Sequence, residues 1–223
     1  MEKTWLKQYP QGVPAQIDVE QYPSLVALLD ASFAKFASLS AYRFMGRAFS
    51  FAQIDEASRA LAAYLQSLGL AKGDRVAVMM PNVPQYPVAV AAILRAGYVV
   101  VNVNPLYTPR ELEHQLKDSG AKACLIVENF AHVLQSVIGA VPAKHVIVTA
   151  LGDMLGFPKR LIVNYVVRNV KKMVPPFHLP GAVEFNEALA LGAAKSFTPA
   201  SVGLDDIAVL QYTGGTTGVS KGA

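Results

Sequence analysis

The sequence predicts an α/β fold, a doubly wound parallel sheet flanked by helices. Two observations carry this. Between residues 50 and 149, short β-branched runs alternate with stretches of helical periodicity. The runs at 75–80, 98–103 and 123–127 are apolar at most positions, which suits strands buried on both sides. Composition agrees, since 223 residues with 52% hydrophobic and 16% charged can bury a core and exclude general disorder.

Taken in order, residues 24–37 have helical periodicity, and 42–51 read as a small hairpin turning at Met45-Gly46-Arg47. Ser50 and Gln53 form a capping box that opens a helix over 50–68, closed by Gly69. A strand follows at 75–80, then a helix over 82–96 stopped by Gly97, then a strand at 98–103. Thr108, Pro109 and Glu111 supply an N-cap, a first-turn proline and a reciprocal acid, so a helix starts there and ends near Gly120. A strand at 123–127, a helix at 131–138 and a strand at 145–149 complete the series, and 207–211 form a last strand.

The chain divides into an N-terminal arm, helix and hairpin (1–49), an α/β subdomain (50–150), an insertion (151–203), and a strand and loop opening a second α/β subdomain (204–223). Trp5 and the Tyr-Pro pairs at Tyr9, Tyr22 and Tyr86 suggest packing of the arm. An edge strand of such a sheet, if left without a partner, is expected to favour self-association.

Twenty Lys and Arg against sixteen Asp and Glu give +4, but the excess is local. Between Asp153 and Glu184 stand Lys159, Arg160, Arg168, Lys171 and Lys172 with no acid, so a nucleic-acid partner is not expected. Residues 156–174 wind into a basic amphipathic helix. Its apolar stripe either seats an ordinary helix on the sheet or, with Arg160, Arg168, Lys171 and Lys172, meets an anionic membrane surface.

The charged opening lacks a signal-peptide core and no run is long enough to span a bilayer, so the expected location is cytoplasmic, with peripheral contact at the inner face of the cell membrane. Cys124, the single cysteine, lies in an apolar run and is expected buried and reduced. His114, His132, His145 and His178 lack ligand spacing, so no metal site is expected among them. Glu111 and Glu113 read as helix-start residues, and Asp205 and Asp206 as turn residues.

The strand at 207–211 runs into Tyr212-Thr213-Gly214-Gly215-Thr216-Thr217-Gly218-Val219-Ser220-Lys221-Gly222-Ala223. Four glycines admit a ligand close to the backbone, the hydroxyls add donors and Lys221 adds a mobile charge, the parts of a phosphate cradle. It is not a Walker A loop, because Ser220 precedes the lysine and Gly222 follows it.

This motif resembles the phosphate-binding signature of the adenylate-forming superfamily, which includes acyl-CoA synthetases, luciferases and peptide-synthetase adenylation domains. Gly73-Asp74-Arg75-Val76, Met80-Pro81-Asn82, Leu94-Arg95-Ala96-Gly97 and Asn104-Pro105-Leu106-Tyr107-Thr108 are similar to that family's N-terminal half in order and spacing. The motif's form, residues 101–120 and residues 5–14 are most similar to bacterial long-chain fatty acid CoA ligases. Gly214 and Ser220 depart from the wider pattern, where serine and proline are common.

The resemblance implies an N-terminal fragment of a large domain, inactive alone. Its parent would use ATP, Mg2+ and coenzyme A to convert a long-chain fatty acid to an acyl adenylate and then a thioester. It also implies nucleotide binding by residues 212–223, with Lys221 as the mobile charge and the catalytic residues beyond Ala223. A noncatalytic phosphate-binding module and a different carboxylate-CoA ligase are the alternatives.

Overall fold

The computed structural model describes residues 3–213 and 220–223. Helix α1 (Leu25–Lys35) precedes a two-stranded antiparallel hairpin, β1 (Ser40–Phe44) and β2 (Arg47–Ser50). Met45 and Gly46 both have positive φ, 46° and 77°, the turn whose twist matches paired strands. Helix α2 (Phe51–Gln66) follows, then β3 (Arg75–Met79), α3 (Gln85–Arg95), β4 (Val99–Asn102), α4 (Pro109–Ser119), β5 (Ala123–Val127), α5 (Ala131–Val137) and β6 (His145–Thr149). Helix α6 (Lys159–Tyr165) continues as a π-turn over Val166–Val170, followed by β7 (Val183–Glu184), α7 (Phe185–Ala193), β8 (Val209–Thr213) and β9 (Lys221–Gly222).

The main sheet has the order β7-β6-β5-β3-β4-β8-β9, parallel except for the antiparallel β8–β9 pair. Alternate strand residues feed two cores, as the two-residue side-chain period requires. Val76, Val78, Val100 and Leu125 pack with α2, α3 and α7 on one face. Ala77, Met79, Val101 and Ile126 pack with Leu112 and Leu116 of α4 and Leu134 of α5 on the other. The sheet is therefore covered on both faces, as its apolar strands predict.

Both expected capping boxes form, Ser50 with Gln53 and Thr108 with Glu111. Gly120 ends α4 in the left-handed region at φ 62°. Gly192 lets α7 approach α2, since a Cβ there would lie 1.9 Å from the Ala60 carbonyl oxygen. Arg95, 2% exposed, ties three helices together. It donates to Asp30 Oδ1 from Nη2 at 2.5 Å and from Nε at 3.1 Å, to the Asp55 carbonyl at 3.1 Å, and to the Asp55 carboxylate and Ser58 hydroxyl. Its guanidinium lies 4.9 Å from the Phe33 ring centroid.

Two expectations are corrected. The helix expected at 82–96 starts at Gln85, because Pro81 and Pro84 precede it and Pro84 takes the N-cap position. The helix expected over 156–174 is shorter: Gly156 has φ 77°, regular α-helix runs only from Lys159 to Tyr165, and the π-turn ends before Lys172, which has φ 50°.

Candidate functional site

Strand β8 pairs with β4, Val100 opposite Val209 and Asn102 opposite Gln211, and so delivers Tyr212 and Thr213 to the carboxyl edge of the parallel sheet. Ligands of open α/β sheets bind at that edge. Strand β9 returns antiparallel, with Tyr212 opposite Gly222 and Thr213 opposite Lys221. Reciprocal Gln211–Ala223 backbone bonds of 2.9 and 3.0 Å extend the pairing. A hydroxyl and an ammonium, both on exposed residues, thus occupy facing positions. Of the expected nucleotide-binding residues, Tyr212, Thr213, Ser220, Lys221, Gly222 and Ala223 are placed here, while Gly214, Gly215, Thr216, Thr217, Gly218 and Val219 lie outside the described residues.

Tyr212 is buried, 8% exposed, with its ring in the core beside α4. Its hydroxyl donates to Asp118 Oδ2 at 2.6 Å. Burial, and then the hydrogen bond and charge of Asp118, push the phenol's pKa upward, so it stays protonated. Gly222 makes room for the ring, since a Cβ there would lie 3.0 Å from two ring carbons of Tyr212. On the other arm, His114 Nε2 lies 3.2 Å from the Ser220 carbonyl oxygen. A carbonyl only accepts, so this contact requires the proton on Nε2.

Beside these arms a recess of 290 Å³ is lined by uncharged polar side chains including Asn82, Tyr86, Asn102, Asn104 and Gln211. Tyr86 donates to Asn102 Oδ1 at 2.8 Å, and Asn102 Nδ2 donates to Gln211 Oε1 at 2.9 Å. Gln115 of α4 donates to the Asn102 carbonyl at 2.7 Å. This chain of neutral amides fixes the ends of β4 and β8 relative to each other. Composition and spacing single out none of Asn102, Gln115, Gln211 or Asp118, and they give His114 no role beyond excluding it as a metal ligand.

The basic segment is oriented differently from a helix seated by its apolar stripe. Asn164 is buried, accepting from the Gly152 amide at 2.8 Å and donating to Asp153 Oδ1 at 3.0 Å. Arg168 grips Glu128, itself 3% exposed, through Nε at 3.0 and 2.9 Å and Nη2 at 2.7 Å. The hydrogen bond to Glu128 raises the already high pKa of Arg168. These two polar contacts, with Val167, turn inward. Phe157, Leu161, Ile162, Tyr165, Val170 and Met173 are left between 50% and 88% exposed. Arg160, Lys171 and Lys172 are exposed beside them, and among the described residues no carboxylate pairs with these three.

Elsewhere, Asp206 accepts from the Gly203 amide at 2.8 Å and pairs with Lys72 at 2.9 Å, as a turn residue does. Burial pushes the Cys124 thiol up to about 12. Among the described residues no group of three or more His, Cys, Asp or Glu is placed to hold a metal ion, and no helix is long and apolar enough to cross a membrane.

The chain is 54% identical over 224 aligned residues to a long-chain-fatty-acid–CoA ligase of Salmonella typhimurium and 50% identical to one of Haemophilus influenzae. In both cases all of this chain is covered and 40% of the relative. The chain therefore spans well under half the length of these relatives. A solved structure of a long-chain-fatty-acid-CoA ligase from Archaeoglobus fulgidus superposes with a TM-score of 0.69 at 26% identity, covering 96% of this chain and 38% of that one. The sequence model of the family described as AMP-binding enzyme matches residues 19–223, and the chain belongs to that family.

Proposed function

We propose that these residues form the phosphate-holding part of an ATP-dependent, AMP-forming ligase for long-chain fatty acids. A fatty carboxylate oxygen bonds to the α-phosphorus of ATP and pyrophosphate leaves. The thiol of coenzyme A then displaces AMP from the acyl adenylate, giving the thioester. The observation that supports this best is the facing of Thr213 and Lys221 on paired strands at the sheet's carboxyl edge, within a chain half-identical to long-chain-fatty-acid–CoA ligases.

The first step brings two anions together, so its rate depends on fixed donors and positive charge around the triphosphate. Lys221 lowers the repulsion between carboxylate and phosphate, and Thr213 donates its hydroxyl to a phosphate oxygen. Residues 214–219, between them in sequence, add further donors in this reading. Among the described residues no group of three or more His, Cys, Asp or Glu is placed to hold a metal ion by itself; Mg2+ would enter in this reading with the ATP phosphates, which supply most of its ligands, and no step is assigned to it. The division of the chain at 49/50, 150/151 and 203/204 is part of the same proposal.

The test is product analysis with the whole product of the reading frame that encodes these residues. Given ATP, coenzyme A and palmitate or oleate, it should form AMP and acyl-CoA together, and 4-coumarate should be a poor substrate. Tight ATP binding without AMP formation would instead establish a noncatalytic phosphate-binding module.

A second reading follows from the exposed apolar side chains of the α6 segment, flanked by Arg160, Lys171 and Lys172. Such a face suits peripheral contact with an anionic lipid surface at the cytoplasmic side of the membrane, where long-chain acids partition.

A further inference from the structure

We propose that α4 is a clamp that sets the spacing of the two arms carrying Thr213 and Lys221, with Asp118 and His114 as its positioning residues. The inference rests on the reading that those arms hold nucleotide phosphates. His114 and Asp118 are one helical turn apart, so they project from the same face with about 5–6 Å between their Cβ atoms. Paired strands lie about 4.8 Å apart. One turn of α4 therefore matches the separation of β8 from β9, and each residue takes one arm. Asp118 accepts from the Tyr212 hydroxyl on β8 at 2.6 Å, and His114 Nε2 meets the Ser220 carbonyl beside β9 at 3.2 Å.

The helix is itself fixed in place. Its start is held by the Thr108–Glu111 capping box, its apolar side by buried Leu112 and Leu116, and its middle by the Gln115 bond to the Asn102 carbonyl. An anchored helix can thus transmit a fixed geometry to β9, which is two residues long and exposed and has only β8 beside it in the sheet. The Tyr212 ring, lying over Gly222 on the opposite strand, completes the contact between the arms.

The test uses the whole reading-frame product and reads the arms without ligand. Trypsin cleavage after Lys221, followed by mass spectrometry, reports how often β9 opens. His114→Ala, Asp118→Ala and Tyr212→Phe should each speed that cut about tenfold, the factor a single good hydrogen bond carries, while the thermal midpoint stays put. His114→Gln, which keeps a donor at similar reach, should stay near the parent rate. His114 is half-buried and Asp118 exposed, and Tyr212→Phe keeps the packed ring, so one of these variants remains folded in any case. Unchanged cleavage in all three, or cleavage in His114→Gln as fast as in His114→Ala, overturns the clamp.

MgATP titration by calorimetry then separates this from the functional reading. Faster cleavage with unchanged MgATP affinity overturns the positioning role. A parent protein that binds no MgATP overturns the proposed function instead, and leaves the cleavage rates to judge the clamp.

Discussion

Replacing Arg160, Lys171 and Lys172 together by Ser should detach the protein from anionic vesicles, and replacing Arg168 alone should not. A basic side chain near an anionic bilayer contributes about 1 kcal/mol. Three of them give about 3 kcal/mol, or about a hundredfold in the partition coefficient. Arg168 differs because Glu128, 3% exposed, already engages it through both carboxylate oxygens. Arg168→Ser leaves that buried carboxylate without its partner and should lower stability by about 2 kcal/mol, below the usual cost of a broken buried pair because Arg168 is itself half solvated. The assay is co-sedimentation with phosphatidylglycerol vesicles at low salt and again at high salt, with urea unfolding alongside. The triple variant should lose binding at unchanged stability, and the parent's binding should fall as salt is added. The reasoning is refuted if Arg168→Ser reduces sedimentation as much as Lys171→Ser does, or if the triple variant sediments like the parent.

Arg95→Leu removes the buried partner of Asp30 and Asp55 and leaves them only the more exposed Arg59, at 3.8 and 3.2 Å, so it should cost about 2 kcal/mol in urea unfolding, with Arg95→Lys costing less because the charge remains but the planar fork is lost; a loss below about 0.5 kcal/mol for Arg95→Leu would contradict the three-helix tie. Burial raises the Asp74 carboxyl, but hydrogen bonds from Lys122 and the Ala71 amide and the charges of Lys122 and Arg75 outweigh it, so its pKa lies below the ordinary value. A depressed folded pKa contributes stability above the unfolded carboxyl value of about 4 and loses it as pH falls through the folded value. Lys122→Met should therefore lower the urea midpoint at neutral pH and converge with the parent in acid; a gap independent of pH would count against the pairing. Cys124, buried with its thiol pushed up to about 12, should react with a thiol-specific reagent only at the rate of global unfolding, and fast labelling in native buffer would show otherwise.

Much of this architecture is legible because it depends on neighbours in sequence. Ser50 with Gln53 and Thr108 with Glu111 are local devices, and both form as their spacing predicts. Apolar strands such as Ala123–Val127 announce burial on both faces, which the two cores supply. The orientation of α6 was hidden for the opposite reason. A helical wheel ranks side chains by hydropathy, but this segment is turned by what Asn164 and Arg168 find elsewhere, at Gly152, Asp153 and Glu128. Likewise the motif at 212–223 is visible by composition, while its support is not. Asp118 lies 94 positions before Tyr212, His114 lies 106 before Ser220, and Asn102 lies 109 before Gln211, so only the fold brings them together.

The most direct measurement of the central claim is exchange of labelled pyrophosphate into ATP by the whole reading-frame product, with palmitate present and coenzyme A withheld. Reversible formation of an acyl adenylate predicts exchange that requires the fatty acid and falls when Lys221 is replaced by Met. Exchange that is absent although ATP binds, or that proceeds without any fatty acid, would contradict it.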